Sequence, residues 1–320
     1  MRLHQTDKPH GTTQLGPRTA KGKFMNEVLG NYELYLMIIP VLAFYIVFAY
    51  MPMYGVLMAF QDYKPMLGVA GSPWVGLKHF TSFFSSVNFG RLMKNTVVIS
   101  LTSLIFGFPA PIILALMINE VRTRWFARVV QTITYIPHFI SMVVVCALIR
   151  EFTSDTGVFN YLLRYLGYGG QTMLSQPGLF VPIYVISGIW QEIGWGSIIY
   201  LAALSSVDKQ LYEAADIDGA GKWSQLFNIT LPGILPTIII LFIMRMGTLL
   251  NVGYEKVMLL YNPGIYDTAD VISTYVYRLG FENSNYSAST AIGLFNSVIN
   301  IILIVATNRL SKQVSETSLF

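Results

Sequence analysis

Two charged residues stand where a strongly apolar sequence tolerates them least, and they are the first candidates for chemistry. Glu192 falls about 13 residues inside the apolar stretch 179–204, and Arg245 reaches a similar depth in the stretch 233–252, so each would sit roughly 20 Å from one bilayer surface. A charge inside a membrane normally finds a partner or marks a path for a solute. The sequence allows both: an intramembrane ion pair of Glu192 with Arg245, or separate places along a pathway. At about 100° per residue, Tyr184, Gly188, Gln191, Glu192 and Trp195 share one helix face, with Trp190 pointing the other way. Aromatic rings pack on the apolar faces of pyranoses while amides and carboxylates take the hydroxyls, which suits that face to a sugar. Asn251 and Tyr254 fall in a different sector from Arg245 and are weaker candidates for the same path; packing against a partner is the competing reading.

A second constellation lies between those two stretches. Asp208 stands where a helix would start, its carboxylate free to accept an orphan backbone N–H, and Leu211, Ala214, Ala215 and Ile217 then supply an apolar side. Gly219 and Gly221 stop that helix. A further short helical stretch, 223–228, leads to Pro232, which punctuates the start of the next apolar stretch. The result is a compact amphipathic helix clamped between two membrane helices, a shape fitted to dock in a groove on another protein.

Other chemistry has no footing in the sequence. The single cysteine, Cys146, sits in an apolar run, and the four histidines, His4, His10, His79 and His138, lack metal-ligand spacing. The nucleotide-cradling pattern GxxxxGK[ST] is absent; Gly219-Ala220-Gly221-Lys222-Trp223 has neither its spacing nor its hydroxyl residue. No basic stripe interleaved with aromatics suggests nucleic acid, and the net charge of +4 comes largely from the first residues and short loops.

These residues must be positioned by a membrane fold. A chain of 320 residues that is 53% hydrophobic and 12% charged, with a mean hydropathy of +0.53, needs lipid as solvent. Six stretches reach the roughly 20 residues that a bilayer core demands: 34–58, 95–118, 129–149, 179–204, 233–252 and 287–307. Lys and Arg gather in the N-terminal tail, at Arg122, Arg124 and Arg128, at Lys209 and Lys222, and at Arg309 and Lys312, which places both termini in the cytoplasm. Residues 1–31 are expected to be a poorly ordered basic tail and residues 32–320 the membrane domain. Pro40, Pro52, Pro109, Pro111 and Pro137 interrupt spans, so protein or a cavity must satisfy the backbone groups they free.

The segment Glu213-Ala214-Ala215, three residues, Gly219, nine residues, Ile229-Thr230-Leu231-Pro232 resembles the EAA signature of permease subunits of binding-protein-dependent ABC importers. Similarity continues through Phe48-Ala49-Tyr50-Met51-Pro52-Met53-Tyr54-Gly55, Ala59-Phe60-Gln61-Asp62-Tyr63, Trp74-Val75-Gly76, Asn95-Thr96, Asn119-Glu120-Val121-Arg122 and Pro137-His138-Phe139-Ile140-Ser141, which look like the carbohydrate branch and its permeases for complex oligo- and polysaccharides. The resemblance covers roughly residues 30–320. It implies an all-α type I fold of six transmembrane helices, multi-pass in the bacterial inner membrane, and a coupling loop at about residues 205–232. The implied partners are a second homologous permease, an ATPase dimer that carries ATP and Mg2+, an extracytoplasmic solute-binding protein and a carbohydrate. Glu213 would meet a basic group on the ATPase, Ala214 and Ala215 would permit close approach, Gly219 would make the turn, and Leu211 and Asp218 would belong to the same docking surface.

The expectation is therefore a non-catalytic permease that supplies half of a sugar path. An importer of amino acids, phosphate or metal stays open within the class. A secondary transporter would show similar spans but has no use for the loop, and a membrane enzyme would need converging catalytic groups that are not found.

Overall fold

The structure is a computed structural model that describes residues 30–167, 171–315 and 318–319. The expected tail, residues 1–31, lies outside the described residues except for its last two positions. The described residues up to 55 and those from 56 onward fall into separate compact units. In the first, helix α1 (Tyr32–Tyr45) passes into a π turn, Ile46–Tyr50. A 3-10 stretch, Met51–Phe60, follows and contains Pro52.

The second unit opens with the short helices α2 (Gly68–Gly71) and α3 (Lys78–Phe84). Next come α4 (Val87–Gly107), α5 (Pro109–Glu120), α6 (Arg124–Tyr135), α7 (Met142–Phe152) and α8 (Val158–Tyr165). The 29-residue α9 (Pro177–Ser205) leads to α10 (Lys209–Ile217), α11 (Lys222–Gln225) and α12 (Leu231–Met246). Three short helices, α13 (Tyr254–Leu260), α14 (Tyr266–Ala269) and α15 (Ile272–Tyr277), precede the last, α16 (Tyr286–Ser315). Among the described residues no strand forms beyond one bridge, Gln61 to Trp74, as expected of an all-α fold.

Among the described residues, four helical runs are long and apolar enough to cross a membrane: Tyr32–Phe60, Val87–Glu120, Lys222–Met246 and Tyr286–Gln313. A fifth is reached when the pair Arg124–Phe139 and Met142–Phe152, bent by 101° at its break, is counted as one span. The remaining expected stretch, 179–204, lies in α9, which at about 1.5 Å per residue exceeds a bilayer core of roughly 30 Å. Gly188, Gln191, Glu192, Gly194 and Gly196 dilute its apolar character. Prolines account for two of the irregularities. Pro109 restarts the helix after Phe108, and Pro137 sits in the 3-10 turn Ile136–Phe139 just before the bend.

The expected short helical stretch 223–228 leads to Pro232 without a break between them. The helix is continuous from Lys222, because a π turn, Leu226–Thr230, widens the ladder ahead of the proline ring. Thr230 Oγ1 donates to the Gln225 carbonyl across that turn at 3.3 Å.

Two apolar clusters fix α9. Ala115, Tyr200, Leu204 and Ile234 knit it to α5 and α12. Ile99, Cys146, Phe180 and Val257 join its other end to α4, α7 and α13. Gly194 lets the α9 backbone touch the Thr134 carbonyl of α6, where a Cβ would collide. The segment after α12 folds back onto α4: Asn95 Nδ2 donates to the Asp270 carbonyl at 2.9 Å, and Thr96 Oγ1 accepts the Ile272 N–H at 3.0 Å. The Asp270 carboxylate is fully buried and receives Arg278 Nη2 at 2.7 Å and Thr274 Oγ1 at 2.8 Å. Burial, followed by its hydrogen bond with Tyr266, pushes the Tyr261 hydroxyl above its ordinary range, so it stays a neutral acceptor for Arg278 Nη1 at 3.2 Å.

Candidate functional site

The polar face expected on α9 opens on a cavity of about 500 Å3, bounded by α4, α5, α7, α9, α12 and α13. Tyr184, Gly188, Gln191, Glu192 and Trp195 all line it, whereas Trp190 does not. The 3.6-residue period of the helix thus brings these five residues to one cavity. Arg245 and Asn251 come in from the C-terminal end of α12 and the turn after it.

The partners within the cavity differ from the expected ion pair. Glu192 Oε2 lies 3.0 Å from Nδ1 of His138, and among the described residues Glu192 forms no ion pair with Arg245. His138 stacks flat on Trp195, with ring centroids 4.4 Å apart and planes within 2°. Gln191 Nε2 donates to the Ile140 carbonyl at 3.4 Å, satisfying a backbone acceptor that the bend beyond α6 leaves free. Three positions of α9 thus hold that bend. Arg245 has no carboxylate within ion-pairing distance among the described residues, although its side chain is exposed to the cavity.

Asn251 lines the cavity but is also a brace. Its Oδ1 accepts from Asn296 Nδ2 and Asn300 Nδ2 of α16, each at 2.9 Å. Tyr254, the weakest pathway candidate, is not among the lining residues; its ring stacks on Tyr277 at 5.5 Å. The physical reason is that α13 starts at Tyr254 after the turn Asn251–Gly253, so the phase of α12 does not continue to it.

Sequence reasoning missed two residues at or beside the cavity: His138 was noted only among the scattered histidines and within a motif, and Lys256 was not singled out. Lys256 is 5% exposed, donates from Nζ to the Tyr184 carbonyl at 2.9 Å and lies 4.7 Å from the centre of the Tyr184 ring. Gly188 leaves the room that it occupies, since a Cβ there would come within 3.3 Å of Nζ.

The second constellation is α10 and its continuation. Asp208 caps the helix, Oδ1 accepting the Gln210 N–H at 2.9 Å. The other end closes on Gly219, whose φ of +74° is the left-handed conformation a helix C-terminus favours. Ala220 N–H reaches the Ala215 carbonyl at 2.8 Å and Gly219 N–H the Asp216 carbonyl at 3.2 Å, the paired bonds of that stop. Leu211, Glu213, Ala214, Asp218 and Gly219 are exposed, Ala215 is half-buried, and Ile217 is 87% exposed. The helix is tied to the run below it: Gln225 Nε2 donates to Asp216 Oδ1, and Tyr212 Oη lies 2.9 Å from Thr230 Oγ1. An exposed apolar and acidic surface is therefore held rigidly on the start of the helix that carries Arg245 at its far end.

Residues 107–316 match the family described as binding-protein-dependent transport system inner membrane component. The chain is 46% identical over 288 residues to protein LplB of Bacillus subtilis (strain 168), covering 90% of this chain and 91% of that one. It is 41% identical, across the full length of both, to the polygalacturonan/rhamnogalacturonan transport system permease protein YteP of the same organism. Among solved structures it resembles a chain of a bacterial ABC transporter involved in the import of the acidic polysaccharide alginate, with a TM-score of 0.85, 44% identity, and coverage of 92% of this chain and 99% of that chain.

Proposed function

This chain belongs to the binding-protein-dependent transport system inner membrane components, and from that premise we propose that it is the permease subunit of an ATP-driven importer of oligo- or polysaccharides. It is a multi-pass protein of the bacterial inner membrane with the type I importer fold. In this reading it crosses the membrane six times with both termini cytoplasmic, and it supplies half of the translocation path. A second homologous permease supplies the other half, an extracytoplasmic binding protein delivers the sugar, and an ATPase dimer holds ATP and Mg2+. This subunit itself is non-catalytic.

The observation that carries the reading is the joining of two functional surfaces on one element. The exposed helix α10, with Leu211, Glu213, Ala214, Ala215, Asp218 and Gly219, is braced on the run whose inner end carries Arg245 into the cavity. Closure of the ATPase dimer on α10 would displace that run as a body and reshape the cavity, which is what alternating access needs. Tyr184, Gln191, Glu192, Trp195 and Asn251 would line the sugar's route.

The test is purification together with uptake. The tagged chain should bring down an ATPase and a second permease, and its deletion should abolish uptake of labelled oligogalacturonates or related sugars. Normal uptake of every oligosaccharide tried after deletion would overturn the proposal.

A further inference from the structure

We infer that Arg245 and Lys256 form a carboxylate-binding subsite for an acidic oligosaccharide, and that His138 keeps this subsite open by holding Glu192. The inference rests on the importer reading above and names the substrate class of its cavity.

Three charged side chains line the cavity: Glu192, Arg245 and Lys256. Charges at membrane depth normally neutralise one another, and one acid beside two bases would be expected to do so. It does not, because Glu192 is engaged by His138 at 3.0 Å. Lys256 is buried with only neutral acceptors, a carbonyl oxygen and an aromatic ring. Arg245 has no side-chain hydrogen bond or ion pair among the described residues. With one carboxylate, held by His138, against two cations, the cavity keeps an excess of positive charge, which is costly unless a further anion arrives. A carboxylate is the matching group, since a guanidinium can take it through two parallel hydrogen bonds and an ammonium as a point charge. A uronate chain presents one carboxylate per ring, and Tyr184 and Trp195 on the same face offer aromatic surface for the rings.

His138 is a positioning residue in this arrangement. Its ring is fixed by stacking on Trp195 and by its place in the 3-10 turn Ile136–Phe139, next to the bend held by Gln191. With the ring removed, the Glu192 carboxylate would turn to the cations across the cavity and compete with the substrate's own acid.

The experiment measures binding of trigalacturonate and of its neutral methyl ester to the purified permease–ATPase complex without binding protein, by calorimetry in nanodiscs. The wild type should bind the acid at least about tenfold more tightly than the ester, the size of one charge-assisted hydrogen bond. Arg245→Gln and Lys256→Gln should each weaken binding of the acid by about that factor and leave the ester unchanged. His138→Phe, which keeps an aromatic ring over Trp195, should weaken the acid similarly, and His138→Phe with Glu192→Gln should restore it. A purely structural defect in His138→Phe would not be rescued by removing the charge on Glu192. Equal affinity of Arg245→Gln for the acid overturns the subsite, and a double variant as weak as His138→Phe overturns the role of His138. Either result leaves the importer reading standing, whereas a wild-type complex that takes up no oligosaccharide in cells overturns the reading itself.

Discussion

The loop that carries α10 and the cavity are assembled in opposite ways. The loop, residues 208–232, is built from neighbours: cap, helix, left-handed stop and brace all lie within one short segment. The cavity is built from distance: His138 meets Glu192 across 54 positions, and Lys256 meets Tyr184 across 72. Local construction gives the loop a fixed shape that another protein can push on. Convergent construction makes the cavity's shape depend on how α6, α9, α12 and α13 stand relative to one another. A locally braced body joined to a site whose shape depends on several elements would give the proposed coupling a physical basis.

Substitutions that hit one region and spare the other sharpen this contrast. The largest effect is expected from Gly219→Val. A branched side chain in the left-handed region costs about 1–2 kcal/mol locally, and here it also reorients the docking helix. Transport and substrate-stimulated ATP hydrolysis should fall to near background while the complex still accepts loaded binding protein; uptake and ATPase assays on the same preparation check this. Wild-type transport by this variant would break the assignment of the loop.

Arg245→Met should act in the reverse sense. Transport of an acidic oligosaccharide should drop by about tenfold, one charge-assisted hydrogen bond, with the ATPase still attached and basal hydrolysis unchanged. Loss of ATPase attachment instead would show that the two regions are not separable.

Gln225→Ala, which frees α10 from the start of its run by removing the donor to Asp216, should loosen coupling more mildly. The expected result is lower transport per ATP with the sugar's KM unchanged, and Gln225→Glu, which sets two carboxylates together, should not rescue it. Asp208→Ala should have the smallest effect, removing a cap worth about 1 kcal/mol, seen as a modest loss of thermal stability in the purified complex and little change in uptake.

The same contrast explains what was legible beforehand. The loop reads directly from the sequence because a capping aspartate, a glycine stop and an apolar side are local signals with local consequences. The polar face of α9 also reads out, since one helical period fixes Tyr184, Gln191, Glu192 and Trp195 together. The partner of Glu192 does not, because nothing local to either residue reports a bend of 101° that brings His138 onto α9; Pro137 is its only nearby sign. Lys256 is hidden for a similar reason: its helix, α13, is too short and mixed to show a periodicity, and only the folding of that segment against α9 buries the ammonium. The continuous entry to α12 escapes a reading that treats proline as a stop, because a π turn relieves the proline instead. Tyr254 lies outside this cavity because a helical phase does not carry past the end of its helix.

ATP hydrolysis by the reconstituted complex, with and without loaded binding protein, is the most direct measurement of the central claim that this chain couples a sugar path to an external ATPase. The account predicts no turnover by the isolated chain, stimulation of the complex by binding protein carrying an oligosaccharide, and loss of that stimulation in Gly219→Val with the ATPase still bound. Robust hydrolysis by the chain alone, or a rate indifferent both to the loaded binding protein and to Gly219→Val, would contradict it.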